Sequence, residues 1–361
     1  MVAVTKTAIE MDPPRHAMGW GERNDLPHHR LMKERREAER SAEFGCYREI
    51  KQLIEARSFT DLPMVKFIKE QFTFDAGWDC DVADRLLYGR PATVDQNPIG
   101  TCVGAGAGSA VGSKITTEII IEGDAENPLG TEVNPSGKNI QLPHCAIPVI
   151  DYHYGCGKMN RYWDKDDQRF TRSNVRLGDG SYCSAQIWAL QFCGILPADQ
   201  LKVSGLVVPQ TQNVRRYAGN GDNFLNDHLP IALNYRMENS AQVKSADDLL
   251  SVIGELFQPC MICSNWGFAP SQYIEGLGWI YKHSGSWSHN MSLVAVIQFK
   301  GNWYVKVRNQ WGPNAHKDGW YFLIPLELFS SWVRYAECQS IGELKLLPST
   351  SVGDFVFQTA A

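Results

Sequence analysis

The chain has 361 residues, of which 43% are hydrophobic and 21% charged, and its formal net charge is -5. This length and composition are typical of a globular protein with one large core or two smaller ones. The negative charge and the lack of a basic stripe argue against a nucleic-acid partner. No apolar run is long enough for a membrane span or an export signal, so we expect no membrane association and a cytoplasmic location in the producing cell.

The first part of the chain is predicted to be helix-rich. Residues 1–30 are polar and rich in proline and histidine, which favours an extended arm, and residues 123–175 are rich in Gly, Pro and Asn, which favours long loops. Apart from the stretch treated below, helices are predicted at 31–56, 146–154, 184–195 and 245–257. Gly194 is expected to end the third of these helices, and Ser245 is expected to cap the start of the fourth.

The second part of the chain is predicted to be an antiparallel sheet. Short β-rich runs, PCMICSNW, MSLVAVIQF, NWYVKVRNQW and GWYFLIPL, follow one another between glycine-containing and polar turns. The chain is therefore predicted to be α+β, with a helical half, a sheet half and a site in the cleft between them.

Cysteine spacing predicts neither a metal site nor a cofactor. The ten cysteines are scattered, so no disulfide framework is required and most are expected to be buried thiols. Cys260 and Cys263 form the one Cys-x-x-Cys pair of the sequence, within a predicted strand where positions three apart face opposite sides. No second pair stands at zinc spacing.

The stretch VDQNPIGTCVGAGAGSAVG, residues 94–112, contains one cysteine before a run of small residues. The order Gly-Ser-Lys at 112–114 is not that of a Walker loop, and Val111 stands where a dinucleotide motif needs its third glycine. Glycine is costly in a helix, so the four glycines after Cys102 indicate a helix packed closely against neighbouring backbone. A helix that begins at Cys102 would favour its thiolate, because the N-terminus carries partial positive charge.

A thiol nucleophile also needs a base and a group that orients the base. His289 lies at the start of one predicted strand, and Asn309 ends the next. An antiparallel pair joined by the turn at 299–302 would bring the two side chains together. His283 is the nearest competing base, and the remaining histidines, in polar loops, are assigned no role.

These motifs resemble the papain-like cysteine peptidases, family C1, in their bacterial and phage-like branch. Gln96 lies six positions before Cys102, His289 is followed by MSLVAV, and the motifs NQWG and DGWYFLI follow at 309–312 and 318–324. The resemblance covers roughly residues 75–345 and implies a papain-like two-part fold whose central helix starts at Cys102.

The resemblance also implies roles for individual residues. Cys102 would be the nucleophile, His289 the base and then the acid, and Asn309 the group that orients the histidine. Gln96 would donate to the oxyanion, and Trp311 would shield the histidine–asparagine hydrogen bond from water.

A peptide or protein substrate is implied as the partner. The GDGSY segment at 178–182 resembles the family segment that pairs with the substrate backbone, although Ser181 replaces its second glycine. The residues expected to bind substrate are Gly180, Ser181, Tyr182, Cys183, Cys263 and Trp287, of which the last four would line a pocket for apolar side chains. Val103 and Ile99 replace the family's tryptophan and a disulfide cysteine, so the usual disulfides are not implied.

We expect an N-terminal arm and helical extension over 1–75, a peptidase domain over 76–345 with a loop insertion at about 123–175, and a tail over 346–361. Two other functions are compatible with the sequence. One is a cell-wall amidase with a related Cys-His fold. The other is a structural component of a larger, virion-like assembly, which the long arm and the missing export signal would suit.

Overall fold

The structure is a computed structural model that describes residues 73–88, 91–93, 95–96, 100–122, 149–172, 180–196 and 224–345. The predicted arm, the helix expected at 31–56 and the tail lie outside these residues.

Most of the described helices lie in the first half of the described chain. The helix bounds are α1 Cys80–Tyr88, α2 Cys102–Glu122, α3 Ile150–Met159, α4 Cys183–Phe192, α5 Phe224–Ala232, α6 Ala246–Leu249 and α7 Leu326–Trp332. Helix α6 continues as a π-helix over Leu250–Glu255, and 3-10 turns follow α3 and α7. None of the described helices is long and apolar enough to cross a membrane.

The strands are β1 Ala76–Asp79, β2 Trp163–Asp164, β3 Arg169–Phe170, β4 Arg236–Met237, β5 Cys260–Ile274, β6 Gly278–Phe299, β7 Asn302–Arg308, β8 Tyr321–Pro325, β9 Glu337–Ser340 and β10 Leu344–Lys345. The main sheet has the order β7-β8-β6-β5-β9, and β6 also pairs with β7 and β1. All but one of these pairings are antiparallel; β6 and β8 meet in parallel at a single residue pair. The predicted α+β class, with a helical half and a sheet half, is confirmed.

Local sequence signals locate several helix ends correctly. Helix α2 begins at Cys102 as predicted. Ser245 caps α6: its side-chain oxygen accepts a hydrogen bond from the backbone N–H of Asp248 at 3.1 Å, while the Asp248 carboxylate accepts one in return from the Ser245 backbone. Gly194 follows α4 with a φ of +84°, the left-handed conformation in which glycine ends a helix without strain.

The prediction of long loops over residues 123–175 is wrong in part. Within that range α3 begins later than the predicted helix, and residues 163–170 form a small hairpin. The reason is tertiary packing: Trp163 contacts Phe170 edge-on at 5.1 Å and Trp188 of α4 at 5.7 Å. Aromatic burial of this kind has no local periodicity in the sequence.

Strand β5 is buried on both faces near its start. Cys260 and Ile262 join a cluster between the sheet and α6 and α7, whereas Met261 and Cys263 join a second cluster that contains Cys102. The prediction that Cys260 and Cys263 face opposite sides is confirmed. The second cluster packs the helical half against the sheet, and the candidate residues lie at this junction.

Candidate active site

The glycines of α2 allow the helix to pack closely against α3 and against β6. A Cβ atom at Gly104 would lie 2.8 Å from Cβ of Tyr154, and one at Gly106 would overlap Oδ1 of Asn290. The hydroxyl of Ser292 donates to the carbonyl of Gly106 at 2.9 Å. Since Gly106 lies one turn after Cys102 and Asn290 directly follows His289, this contact brings the start of α2 to the part of β6 that carries the histidine.

Cys102 is fully buried, is not part of a disulfide and is the first residue of α2. The helix makes its first-turn bond from the Ala105 N–H to the Thr101 carbonyl at 2.9 Å. The sulfur therefore lies at the positive end of a 21-residue helix, where a thiolate is favoured.

His289 and Asn309 are joined as the sequence predicts. Nε2 of His289 lies 2.8 Å from Oδ1 of Asn309, and both residues are fully buried. Asn309 follows the end of β7, while His289 lies well inside β6 instead of at a strand start, because β6 extends back to Gly278 in a partly exposed hairpin with β5.

The hydrogen bond between His289 and Asn309 determines which ring nitrogen of His289 carries the proton. Because an amide oxygen only accepts, Nε2 of His289 donates, and in the neutral ring Nδ1 is then an acceptor. Nδ1 is buried and has no hydrogen-bond partner among the described residues. Burial lowers the pKa of His289 to about 4, against a smaller raising effect of the Asn309 bond, so the imidazole is neutral near pH 7 and can accept a proton at Nδ1.

Trp311 covers this pair. Its ring stacks on that of His289 with centroids 4.3 Å apart and an interplanar angle of 28°. Trp287 contacts Trp311 edge-on at 5.0 Å. By contrast, His283 is exposed, and its ring contacts that of Trp266 at a tilt of 33° with the centroids 4.1 Å apart.

Gln96 and Gly180 also make backbone hydrogen bonds near the site. The N–H of Gln96 donates to the carbonyl of Gln310, next to Asn309, at 2.9 Å. The N–H of Gly180 donates to the carbonyl of Gly100 at 3.4 Å, and Lys158 Nζ donates to the carbonyl of Gly180 at 2.6 Å. The backbone N–H and carbonyl of Gly180 thus both have hydrogen-bond partners within the chain. A substrate backbone that bonded to Gly180 would have to displace these partners.

Cys183 and Cys263 form a disulfide, so the expectation of two thiols at these positions is wrong. The residues are 80 positions apart, but the start of α4 and strand β5 bring their Cα atoms to 6.1 Å, within disulfide range. Both are fully buried, whereas Tyr182 and Trp287 are half-buried and Ser181 is buried. The side-chain nitrogen of Asn290 lies 3.2 Å and 3.1 Å from the two sulfurs. The carboxylate of Glu337 lies within 4.8 Å of them, but sulfurs bonded to each other are not the thiolates that bind a metal.

A buried ion network adjoins the site. The guanidinium of Arg308, the residue before Asn309, donates to Asp84 at 2.5 Å and to Asp81 at 3.1 Å, and also to Ser113 of α2 at 2.7 Å. Burial would raise the pKa of Asp81, but the charges of Lys306 and Arg308 outweigh it and hold that pKa well below its ordinary value. The network ties α1 and α2 to the end of β7.

Sequence reasoning assigned no role to His316, which contacts the site directly. Its Nε2 lies 2.9 Å from Nδ2 of Asn309. The only sequence signal is its place in NQWGPNAHKDGW, seven residues after Asn309.

No protein-family model and no curated protein match the chain. Among solved structures it is similar to xylellain, a cysteine protease from Xylella fastidiosa, with 14% identity and a TM-score of 0.42 over 70% of this chain and 82% of the other. It is also similar to proCathepsin B S9 from Trypanosoma congolense, with 12% identity and a TM-score of 0.41 over 75% and 78%. The Amb a 11 cysteine protease, a ragweed pollen allergen in its proform, has 13% identity and a TM-score of 0.41 over 75% and 66%. All three belong to the class that the motifs of this chain resemble.

Proposed function

We propose that the chain is a papain-like cysteine peptidase that hydrolyses peptide bonds through Cys102, His289 and Asn309. The observation that carries the proposal is the 2.8 Å hydrogen bond from His289 Nε2 to Asn309 Oδ1, which leaves Nδ1 as the proton acceptor. The close packing of α2 on β6 supports Cys102 as the group that this nitrogen serves.

Acylation uses the neutral histidine as a base. His289 Nδ1 takes the proton of the Cys102 thiol, and the sulfur electron pair forms a bond to the scissile carbonyl carbon while the π pair moves to its oxygen. The intermediate then collapses: the C–N bond breaks, His289 returns the proton to the leaving nitrogen, and a thioester remains on Cys102.

Deacylation repeats the sequence with water. His289 Nδ1 removes a proton from a water molecule, whose oxygen attacks the thioester carbon. The C–S bond breaks, the sulfur regains the proton, and the second product leaves as a carboxylic acid. Asn309 holds the ring in one tautomer throughout, because its oxygen accepts only from Nε2.

The oxyanion would be stabilised by the Cys102 backbone N–H and the Gln96 side chain. Gln96 is 2% exposed and bonded through its backbone to Gln310, which supports a fixed donor position. Donors fixed before the reaction stabilise developing charge without reorganisation. Trp311 keeps water away from the hydrogen bond between His289 and Asn309, and a hydrogen bond is stronger where water is excluded.

The substrate would be a peptide or protein, with an apolar side chain seated near Tyr182 and Trp287. The Cys183–Cys263 disulfide is buried, directly follows Tyr182 in the chain and carries no charge. Each buried methylene in such a pocket is worth about 1 to 3 kcal/mol of discrimination.

The test is covalent labelling with an epoxide-type thiol probe, followed by mass mapping. We expect the wild type to be labelled at Cys102 and Cys102→Ala to lose the label while keeping its circular dichroism spectrum. Cys156→Ala, which removes another buried thiol, is the matched control and should label like the wild type. Labelling of Cys102→Ala at a different cysteine would show that the nucleophile is misassigned.

A further inference from the structure

Asn309 has two hydrogen-bonding ends, and each meets a histidine. Its oxygen lies 2.8 Å from Nε2 of His289, and its nitrogen lies 2.9 Å from Nε2 of His316. A half-turn of the amide would exchange oxygen and nitrogen with almost no change of shape. The amide NH2 would then face the N–H of His289, and two donors would oppose each other.

The state of His316 decides between these orientations. In a neutral ring with its proton on Nδ1, Nε2 accepts from the Asn309 NH2, and only the orientation with the oxygen toward His289 satisfies both rings. Burial and, to a smaller extent, the neighbouring His289 together lower the pKa of His316 to about 3. The ring is therefore neutral near pH 7 and keeps one acceptor nitrogen.

The fold holds the His316 ring in place. Its backbone N–H and carbonyl bond to those of Gly319, each at 3.1 Å, so the loop is closed on itself. The ring lies 4.7 Å from that of Phe322 on β8 and 5.4 Å, edge-on, from that of Tyr281 on β6. The Tyr281 hydroxyl also accepts from the Lys317 N–H at 3.1 Å. Contacts to two strands and a closed loop make the acceptor position independent of Asn309.

We propose that His316 is a positioning residue: it accepts a hydrogen bond from Asn309 Nδ2 and thereby selects the amide orientation that holds the His289 tautomer. Its effect on turnover rests on the proposed function, whereas the hydrogen bond itself does not. His316 acts through Asn309 and needs no contact with substrate.

The kinetic test compares two replacements. His316→Phe keeps a ring against Tyr281 and Phe322 but removes the acceptor, and we expect kcat to fall about tenfold, the value of one hydrogen bond, with KM nearly unchanged. His316→Gln offers an oxygen acceptor and should recover most of kcat. His283→Phe, on the exposed part of β6, is the control and should behave like the wild type.

A double-mutant cycle separates positioning from general destabilisation. If His316 acts through Asn309, His316→Phe should have no further effect on kcat in an Asn309→Ala background. The same loss in both backgrounds would overturn the proposal, as would an equal loss in His316→Phe and His316→Gln.

A second readout does not depend on activity. In 15N-labelled Cys102→Ala protein near pH 7, imidazole spectra should show the proton of His289 on Nε2 and that of His316 on Nδ1, with signals assigned by their loss in His289→Gln and His316→Gln. A proton on Nε2 of His316 would overturn the proposal. Absence of Cys102 labelling and of peptide hydrolysis in the wild type would instead refute the proposed function, and the spectra would still decide the role of His316.

Discussion

Replacing Arg308 with methionine should destabilise the protein by about 3 kcal/mol. Arg308 is fully buried and donates to Asp84, Asp81 and Ser113. Methionine fills much of the volume but removes the charge, and breaking a buried ion pair from one side costs about 3 to 5 kcal/mol. We expect the lower end of this range, because Asp81 keeps its 2.9 Å contact with Lys306.

Urea-induced unfolding, followed by tryptophan fluorescence, measures this loss. Lys300→Met, in the exposed turn between β6 and β7, is the matched control and should change the free energy of unfolding by less than about 0.5 kcal/mol. Adding Asp84→Asn to Arg308→Met should recover part of the loss, since it removes the carboxylate left without its cation. A loss below about 1 kcal/mol, or strict additivity in the double variant, would refute the argument that the network is a coupled unit.

Three further predictions concern the site and its surroundings. In steady-state kinetics, His289→Ala should lose nearly all turnover, whereas Asn309→Ala should lose less because Asn309 orients the ring and transfers no proton. His283→Ala should stay near wild type. An active His289→Ala variant beside an inactive His283→Ala variant would reverse the assignment of the base. Gly106→Ala should force α2 away from β6 and so lower both the thermal midpoint and the labelling rate of the nucleophile, and an unchanged midpoint would contradict the packing argument. Burial lowers the pKa of His153 to about 4, so between its ordinary value of about 6.5 and pH 4 the unfolded state binds a proton that the folded state lacks. The free energy of unfolding should therefore fall as the pH falls through this window, and urea titrations at pH 7 and pH 5 should show a smaller fall in His153→Gln; an equal or larger fall would count against the buried neutral ring.

Several predictions from the sequence depended on local chemistry and are confirmed. The cap at Ser245 and the stop at Gly194 need only a few neighbouring residues, because a side-chain acceptor or a left-handed glycine acts within one turn. The start of α2 at Cys102 and the hairpin with its turn at 299–302 are likewise local. The pairing of His289 with Asn309 follows from that hairpin, since one turn sets the register of both strands.

Two features that the sequence did not reveal depend on residues far apart in the chain. The Cys183–Cys263 disulfide and the contacts of Arg308 with α1 and α2 join segments that no periodicity or spacing links. His316 was missed because a histidine in a polar loop has no pattern that indicates which acceptor it offers, or to which group.

By itself, the sequence determined the α+β class and most element positions in the sheet half. It also indicated the residues that we propose as nucleophile, base and orienting residue. These depend on residue type, short-range backbone preference and motif spacing. Only the tertiary structure decided which cysteines pair, how the helix that begins at Cys102 meets β6, and that a second histidine lies within hydrogen-bonding distance of Asn309. The first two are contacts between segments far apart in the chain, and they form only where the packing of helices against the sheet brings complementary atoms within bonding distance. The third joins residues seven positions apart, and the loop that His316 closes with Gly319 sets its geometry.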